Sequence, residues 1–323
     1  MKTANETPQT LAEAIRYFAD PDAALAFMVN LRWPAGVACP HCGDMAVSFL
    51  KTRRIWKCKG CHKQFSVKVG TVFEDSALGL DKWIPAVWLL ANCKNGISSY
   101  EVARALHVTQ KTAWFMMHRI RLGMQTKRSR KFTGTVEVDE TFVGGKAKFM
   151  HKADRKRRIH GTGGMDKTAV MGIVQRSRGK KLSQVTATVL PDLGHDRIQE
   201  QIHAAVEHGS SLYTDTAWSY GKKRQFRAAF KHAMVNHARE YVRGKVHTNT
   251  IENFWSLLKR AIKGTYVSVD PFHLIRYVDE QAFRFNQRGG NDSSRFAEAV
   301  KGVTGKRLTY ADLIGAKFDF ATT

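Results

Sequence analysis

Acidic residues are scarce in this 323-residue chain: 28 Asp and Glu stand against 52 Lys and Arg, a formal net charge of +24. That excess is far beyond what solubility requires and points to a polyanionic partner, with nucleic acid ahead of an anionic membrane. Long apolar runs are missing as well. The longest uncharged one, 83–93, holds a Pro and an Asn and falls well short of the roughly 20 residues a membrane-spanning helix needs. The first residues, MKTANETPQTLAEAI, carry acids and no uninterrupted apolar core, unlike a secretory leader. The expectation is a cytoplasmic protein without a membrane partner. Cysteine is sparse too, at 39, 42, 58, 61 and 93 only. In a reducing compartment the clustered four read as metal ligands before disulfides. With 43% hydrophobic and 25% charged residues the chain is an ordinary globular one, and neither an internal repeat nor an extended low-complexity tract interrupts it.

Hydrophobic periodicity divides the chain. Residues 1–36 predict two short helices, parted at Asp20-Pro21 because proline opens a helix but does not continue one. Residues 37–73 alternate in short stretches around the cysteines, as a small β module does. Helical spacing returns over 80–122, within a helix-turn-helix region taken as 74–125. The polar, basic run 126–134 reads as a linker. Beyond it, strands are expected at 136–138, 168–174, 184–190, 212–214 and 233–236, and helices at 197–206, 250–262 and 271–286. This is a mixed α/β domain over 135–290, followed by a tail, 291–323, that carries no signal.

Cys39-Pro-His-Cys42 and Cys58-Lys-Gly-Cys61 are two C-x-x-C knuckles with 15 residues between them. That spacing suits a four-thiolate zinc site, and zinc would replace a core too small to fold alone. Gly60 is available for an unusual backbone angle, and His41 and His62 beside the knuckles are expected to be exposed. Further on, Ser98 and Glu101 form a capping box that opens a short helix, and Thr109 suits the N-cap of a second helix over 110–122. Short helix, turn and longer helix make a helix-turn-helix pattern. Its second helix would present Gln110, Lys111 and Trp114 near its start, with Arg119 and Arg121 along its flank toward phosphates. A plain helical hairpin remains the alternative.

Three acids stand out. Asp139 ends the alternating stretch TVEVD, Asp215 follows the strand SLYT, and Glu252 lies early in the helix that begins at Thr250. Two strand-end aspartates and a helix glutamate can converge on a pair of divalent ions about 3.5–4 Å apart, an arrangement suited to phosphodiester chemistry. All-oxygen ligands favour Mg²⁺ or Mn²⁺. Lys259 follows Glu252 by seven residues, two turns on and so on the same face, where it could hold a DNA phosphate. Alternatives stay open at this stage. Asn249 and Glu252 also fit a capping box, and Glu137 and Glu140 compete with Asp139, Glu137 on its face of the strand and Glu140 on the other.

Taken in order, CPHCG, WKCKGCHKQFSVKVGTVFEDS, EVDETFVGG, LYTDTAWSY and HTNTIENFWSLLKRAIKGTY resemble a bacterial insertion-sequence transposase of the DDE type, from the group with an N-terminal zinc ribbon. The resemblance spans about 15 to about 288. It implies a ribonuclease-H-like catalytic domain with Asp139, Asp215 and Glu252 as metal ligands and Lys259 as the associated basic residue, acting on the terminal inverted repeats and joining freed 3′ hydroxyls to target DNA. Asn253 and Asn249 are lesser candidates for the third ligand, and His247 matches the motif in a positioning or capping role. Holding two DNA ends together implies at least a dimer on DNA. A catalytically silent DNA-binding regulator and a nuclease without joining are the rival readings.

Between 146 and 158 seven Lys or Arg meet one Asp. This run is either a solvated hairpin or a DNA clamp acting through phosphates, with Arg155, Lys156, Arg157 and Arg158 as its contacts. Neutralising those four should then flatten the salt dependence of DNA binding. Cys93 is given no chemistry.

Overall fold

The computed structural model describes residues 8–125, 130–145, 151–153, 156, 167–215, 228–235 and 246–315. It divides into two compact units, Met1–Gln125 with Gly290–Thr323, and Thr126–Gly289.

The first unit opens with α1 (Leu11–Phe18) and α2 (Pro21–Arg32), capped by the side chains of Thr10 and Asp20. Three short antiparallel strands follow, β1 (Val47–Leu50), β2 (Ile55–Cys58) and β3 (Gln64–Phe65). Next come α3 (Leu80–Asn92), α4 (Ser99–Leu106) and α5 (Gln110–Met124). Both hydrogen bonds of the Ser98–Glu101 capping box form, Thr109 caps α5, and His107 makes the turn between the helices in the left-handed region at φ 51°. The tail is not featureless. It forms α9 (Asp292–Lys301) and α10 (Tyr310–Leu313), and Phe296 packs among Phe18, Phe27 and Trp88 at ring separations of 4.9–5.8 Å. Val72 N–H donates to the Val303 carbonyl. A stretch without apparent signal is part of this unit's core.

In the second unit β4 (Thr135–Val143), β5 (Thr168–Gln175) and β6 (Gln184–Leu190) pair antiparallel, then β7 (Ser211–Asp215) and β8 (Lys231–Val235) add parallel to β4. The spatial order is β6-β5-β4-β7-β8, or 3-2-1-4-5 by sequence of strands. Helices are α6 (His195–Ala205), α7 (Asn249–Ala261) and α8 (Leu274–Asn286). β5 reads TAVMGIVQ because both its faces are buried, as expected of a strand covered on both sides. Met171 and Ile173 pack with Val136, Val138, Ile198 and Ile202 on one face. Val170 and Val174 pack with Ile251, Phe254 and Leu258 on the other. The linker reading ends early: Phe132 is fully buried in the first of these clusters, and its N–H donates to Ala205. Residues 126–129 lie outside the described part, as does Asn236 at the end of the last expected strand.

Candidate active site and metal centre

The four cysteines converge. Their sulfurs all lie within 4.8 Å of one another, with Cys39–Cys61 at 3.7 Å and Cys42–Cys58 at 3.6 Å. Four thiolates placed about 2.3 Å from one zinc ion have sulfurs about 3.8 Å apart, so the set fits a structural tetrahedral zinc centre. Positive φ at the knuckles falls on Gly43 (81°) and His62 (59°), not on Gly60. At Gly60 a Cβ would meet the Asp44 carboxylate, a flexible side-chain end that would have to shift. His41 and His62 are exposed and outside the cluster. Trp33, Trp56 and Phe65 stack beside the sheet as its small apolar core.

In the second unit the central residue is Glu137. Its carboxylate is fully buried. It accepts from the backbone N–H of Thr250 and of Ile251 at 2.9 Å each, from Thr250 Oγ1 at 2.8 Å and from Arg176 Nε at 2.6 Å. A sheet residue thus satisfies the orphan donors at the start of α7, where the helix dipole also favours negative charge. The Asn249–Glu252 capping box does not form: Thr248 is the N-cap, and its hydroxyl donates to Glu252 Oε1 at 2.9 Å. His247 joins the same cluster, its carbonyl accepting from Arg176 at 2.7 Å and its Nδ1 lying 3.6 Å from Glu137.

Glu137→Ala is expected to lower stability by about 3–5 kcal/mol, because two helix N–H groups lose their partner and the partly buried Arg176 guanidinium loses its carboxylate. For a domain of this size that is a melting-point drop of about 10 °C, measurable by calorimetry. Glu137→Gln should recover part of it. An unchanged melting point in the alanine variant would show that the cluster does not hold α7.

The parallel ladder from Thr135↔Ser211 to Val138↔Thr214 sets Asp139 and Asp215 on the next rung, on one face of neighbouring strands. β4 itself continues four residues past Asp139, because β5 pairs with it as far as Val143↔Thr168. Glu252 projects from the first turn of α7. Burial pushes the Asp139 carboxyl up to about 6. The charges of Glu252 and Asp215 add to this, against the lowering effect of the Trp255 indole and the Glu140 amide. Asp139 therefore feels two neighbouring negative charges, a repulsion that a cation would relieve. Among the described residues only the four cysteines close to within 4.8 Å, so the carboxylates are gathered more loosely than the thiolates.

Sequence reasoning missed two residues here. Trp255 Nε1 donates to Asp139 Oδ2 at 2.9 Å. Gly172, opposite Asp139 on β5, makes room for it: a Cβ would stand 2.6 Å from Ile251 and 2.7 Å from the Trp255 ring. A glycine inside a strand pattern is a sign of such close approach. Glu140 occupies the other face beside Met171, and burial followed by the Asp139 and Asp215 charges pushes it up to about 8. Asn253 is exposed beside Glu252. Lys259 is half-buried on the last turn of α7, and its pKa is lowered by burial and then by Lys263, with Asp139 opposing.

The expected DNA-contacting flank of α5 is corrected. Arg119 is 4% and Arg121 1% exposed. Arg119 donates to the Glu74 carbonyl and lies over Trp83 and Phe115 at 5.2 Å. Both lie on the face carrying Met116, Met117 and Ile120 and are interior residues of the first unit. Lys111 is exposed over Tyr310, Trp114 is half-buried against His118, and Gln110 donates to Ser99 at 2.8 Å. Lys156 is exposed. Arg155, Arg157 and Arg158 lie outside the described residues.

A 3-2-1-4-5 mixed sheet with helices packed on both faces is the ribonuclease-H-like arrangement. Residues 131–286 match the ISXO2-like transposase domain, and residues 19–64 match the transposase zinc-ribbon domain. The chain thus carries an ISXO2-like transposase domain behind a transposase zinc-ribbon domain. The ribbon match takes in α2, which periodicity alone set apart from the cysteine module. An uncharacterized protein in transposable element ISH50 of Halobacterium salinarum is 29% identical over 259 residues, covering 76% of this chain and 84% of its own length. A chain in the cryoEM structure of the simian T-cell lymphotropic virus intasome with PP2A regulatory subunit B56 gamma aligns over 59% of this chain and 66% of that one. Its identity is 12% and its TM-score 0.27, a likeness on which no argument rests.

Proposed function

We propose that the chain binds the terminal inverted repeats of an insertion sequence, cleaves its ends and joins the 3′ hydroxyls to target DNA. The observation that carries this reading is that Asp139 and Asp215 each follow directly on the Val138↔Thr214 pair, with the Glu252 and Asp215 charges both reaching Asp139. Asp139, Asp215 and Glu252 would hold Mg²⁺ or Mn²⁺, since the donors are all carboxylate oxygens. Such ions supply an activated attacking oxygen and charge stabilisation at the leaving one. Trp255 fixes the Asp139 carboxylate, and Glu137 with Arg176 fixes the helix that carries Glu252 and Lys259. Lys259 orients the scissile phosphate. Lys111 and Lys156 contribute phosphate contacts from exposed positions. The protein works in the cytoplasm, at the nucleoid, without a membrane partner and as an oligomer on DNA, because two ends must be held at once.

The test places the gene with its own flanking DNA on a donor plasmid and counts new insertions. Insertions from the natural chain that vanish on replacing Asp139, Asp215 or Glu252 with alanine are the expected result. No insertions from the natural chain, with flank binding retained, would leave a DNA-binding regulator as the better account.

A further inference from the structure

β6 ends the five-stranded sheet on one side, so among the described residues one of its edges has no neighbouring strand. The side chain of Asn286, at the end of α8, fills part of that edge. Its Oδ1 accepts from the Val185 N–H at 2.7 Å, and its Nδ2 donates to the Val185 carbonyl at 2.9 Å. Both backbone groups of Val185 therefore point away from β5, and by the two-residue repeat of a strand so do those of Ala187 and Val189. β6 pairs with β5 without a bulge from Gln184 to Leu190, which carries the alternation through. Among the described residues no hydrogen bond reaches the outward groups of Ala187 or Val189. Beyond Leu190 stands Pro191, which has no N–H to offer. The open stretch is thus closed at one end by an asparagine and at the other by a proline.

An unpaired edge is a template for another strand. Its α6 side is accessible, since the half-buried Thr186 and Thr188 line a groove of about 380 Å³ with Gln201 and Ala204. A second copy of β6 fits this edge. A twofold axis pairs the strand antiparallel with itself, and one register leaves no group stranded. With Ala187 opposite its own copy, Val189 would face Val185, which Asn286 already fills. With Val189 opposite its own copy, Ala187 would face Pro191, which cannot donate. With Thr188 on the axis, Ala187 exchanges both backbone bonds with Val189 of the second copy. The next rung then sets Val185 against Pro191, the position already filled against the one without a donor. The two Thr188 side chains meet in a non-hydrogen-bonded pair, the closer kind. Charge agrees with this order. Lys180 and Lys181 are exposed before the strand, and Asp192 is exposed after it, paired only across the surface with Arg197. Antiparallel order runs the basic start of each copy toward the acidic end of the other.

We propose that two copies of this chain pair through β6, continuing the sheet across a twofold axis at Thr188. The proposal supplies an interface for the oligomer of the reading above, and rests on that reading for what the dimer is used for.

The experiment sediments the full zinc-bearing chain, alone and with its flanking duplex, and cross-links it. The natural chain should form a dimer. Ala187→Pro removes an outward N–H and no bond to β5, a substitution that edge strands tolerate. It should weaken self-association about tenfold or more at an unchanged melting temperature. Thr188→Cys should close a disulfide between copies under oxidised glutathione, because the Cβ atoms of such a pair lie about 4.5–5.5 Å apart. Thr186→Cys, set opposite Leu190 of the second copy, should not, and neither should the natural chain with its Cys93. A chain that stays monomeric in both conditions, a dimer untouched by Ala187→Pro, or cross-linking no better at 188 than at 186 overturns the proposal. Asp215→Ala separates the two readings: it should dimerise as the natural chain does while insertions vanish. Insertions by the natural chain, with no cross-link in its Thr188→Cys variant, sink the interface alone. A natural chain that dimerises in this way and gives no insertions sinks transposition alone.

Discussion

Asp215→Ala is expected to cut insertion frequency by about a thousand-fold or more while leaving the fold intact. A metal-held oxygen contributes several kcal/mol of transition-state charge stabilisation, and each ~1.4 kcal/mol is tenfold in rate. The side chain stands at the end of β7, half-exposed and outside both apolar clusters, so its removal opens no cavity. Removing it also removes a like charge that raises Asp139, and the melting temperature should therefore hold or rise. A site that stores repulsion trades stability for function. Glu140→Gln is the control. That residue lies on the opposite face, beside Met171, and its loss should spare most of the activity. Insertions that persist within about tenfold in the Asp215→Ala chain would remove this acid from the chemistry.

Legibility followed the range of the interaction. Strands 168–175 and 184–190 and the capping box at Ser98 announce themselves through neighbours in sequence, and the structure has them within a residue of where periodicity put them. Glu137 did not, because its partners Thr250 and Ile251 are 113 and 114 residues away. No local pattern tells an acid that caps a distant helix from one that faces other acids two positions later. The arginines of α5 were legible and misread. Arg119 follows Met116 by three and Arg121 follows Met117 by four, so both lie on the apolar stripe, a position at which burial outweighs net charge as a guide. The tail held a similar signal in Asn291, Phe296 and Val300, an N-cap and a helical stripe.

Removing the zinc should have the largest effect on the first unit. The three strands of the cysteine module are four, four and two residues long, too short for independent stability. Its apolar core is little more than Trp33, Trp56 and Phe65. In such modules the metal's binding free energy, roughly 10–16 kcal/mol in zinc-finger peptides, is the folding free energy. What ties the module to α2 cannot replace it: the Arg54–Asp22 ion pair is exposed, and Arg32 donates to Val67 with a single bond at 2.7 Å. An exposed pair of that kind, screened by solvent, adds little. Chelation, or Cys58→Ser, should therefore melt residues 37–65 and abolish binding to the flanking DNA. The acids lie in the other compact unit, so Mn²⁺ binding by calorimetry should survive. One zinc per chain by atomic absorption, lost on chelation together with flank binding, is the expected result. A purified chain that holds no zinc and still binds the flanks would show that the four thiols are structural without metal.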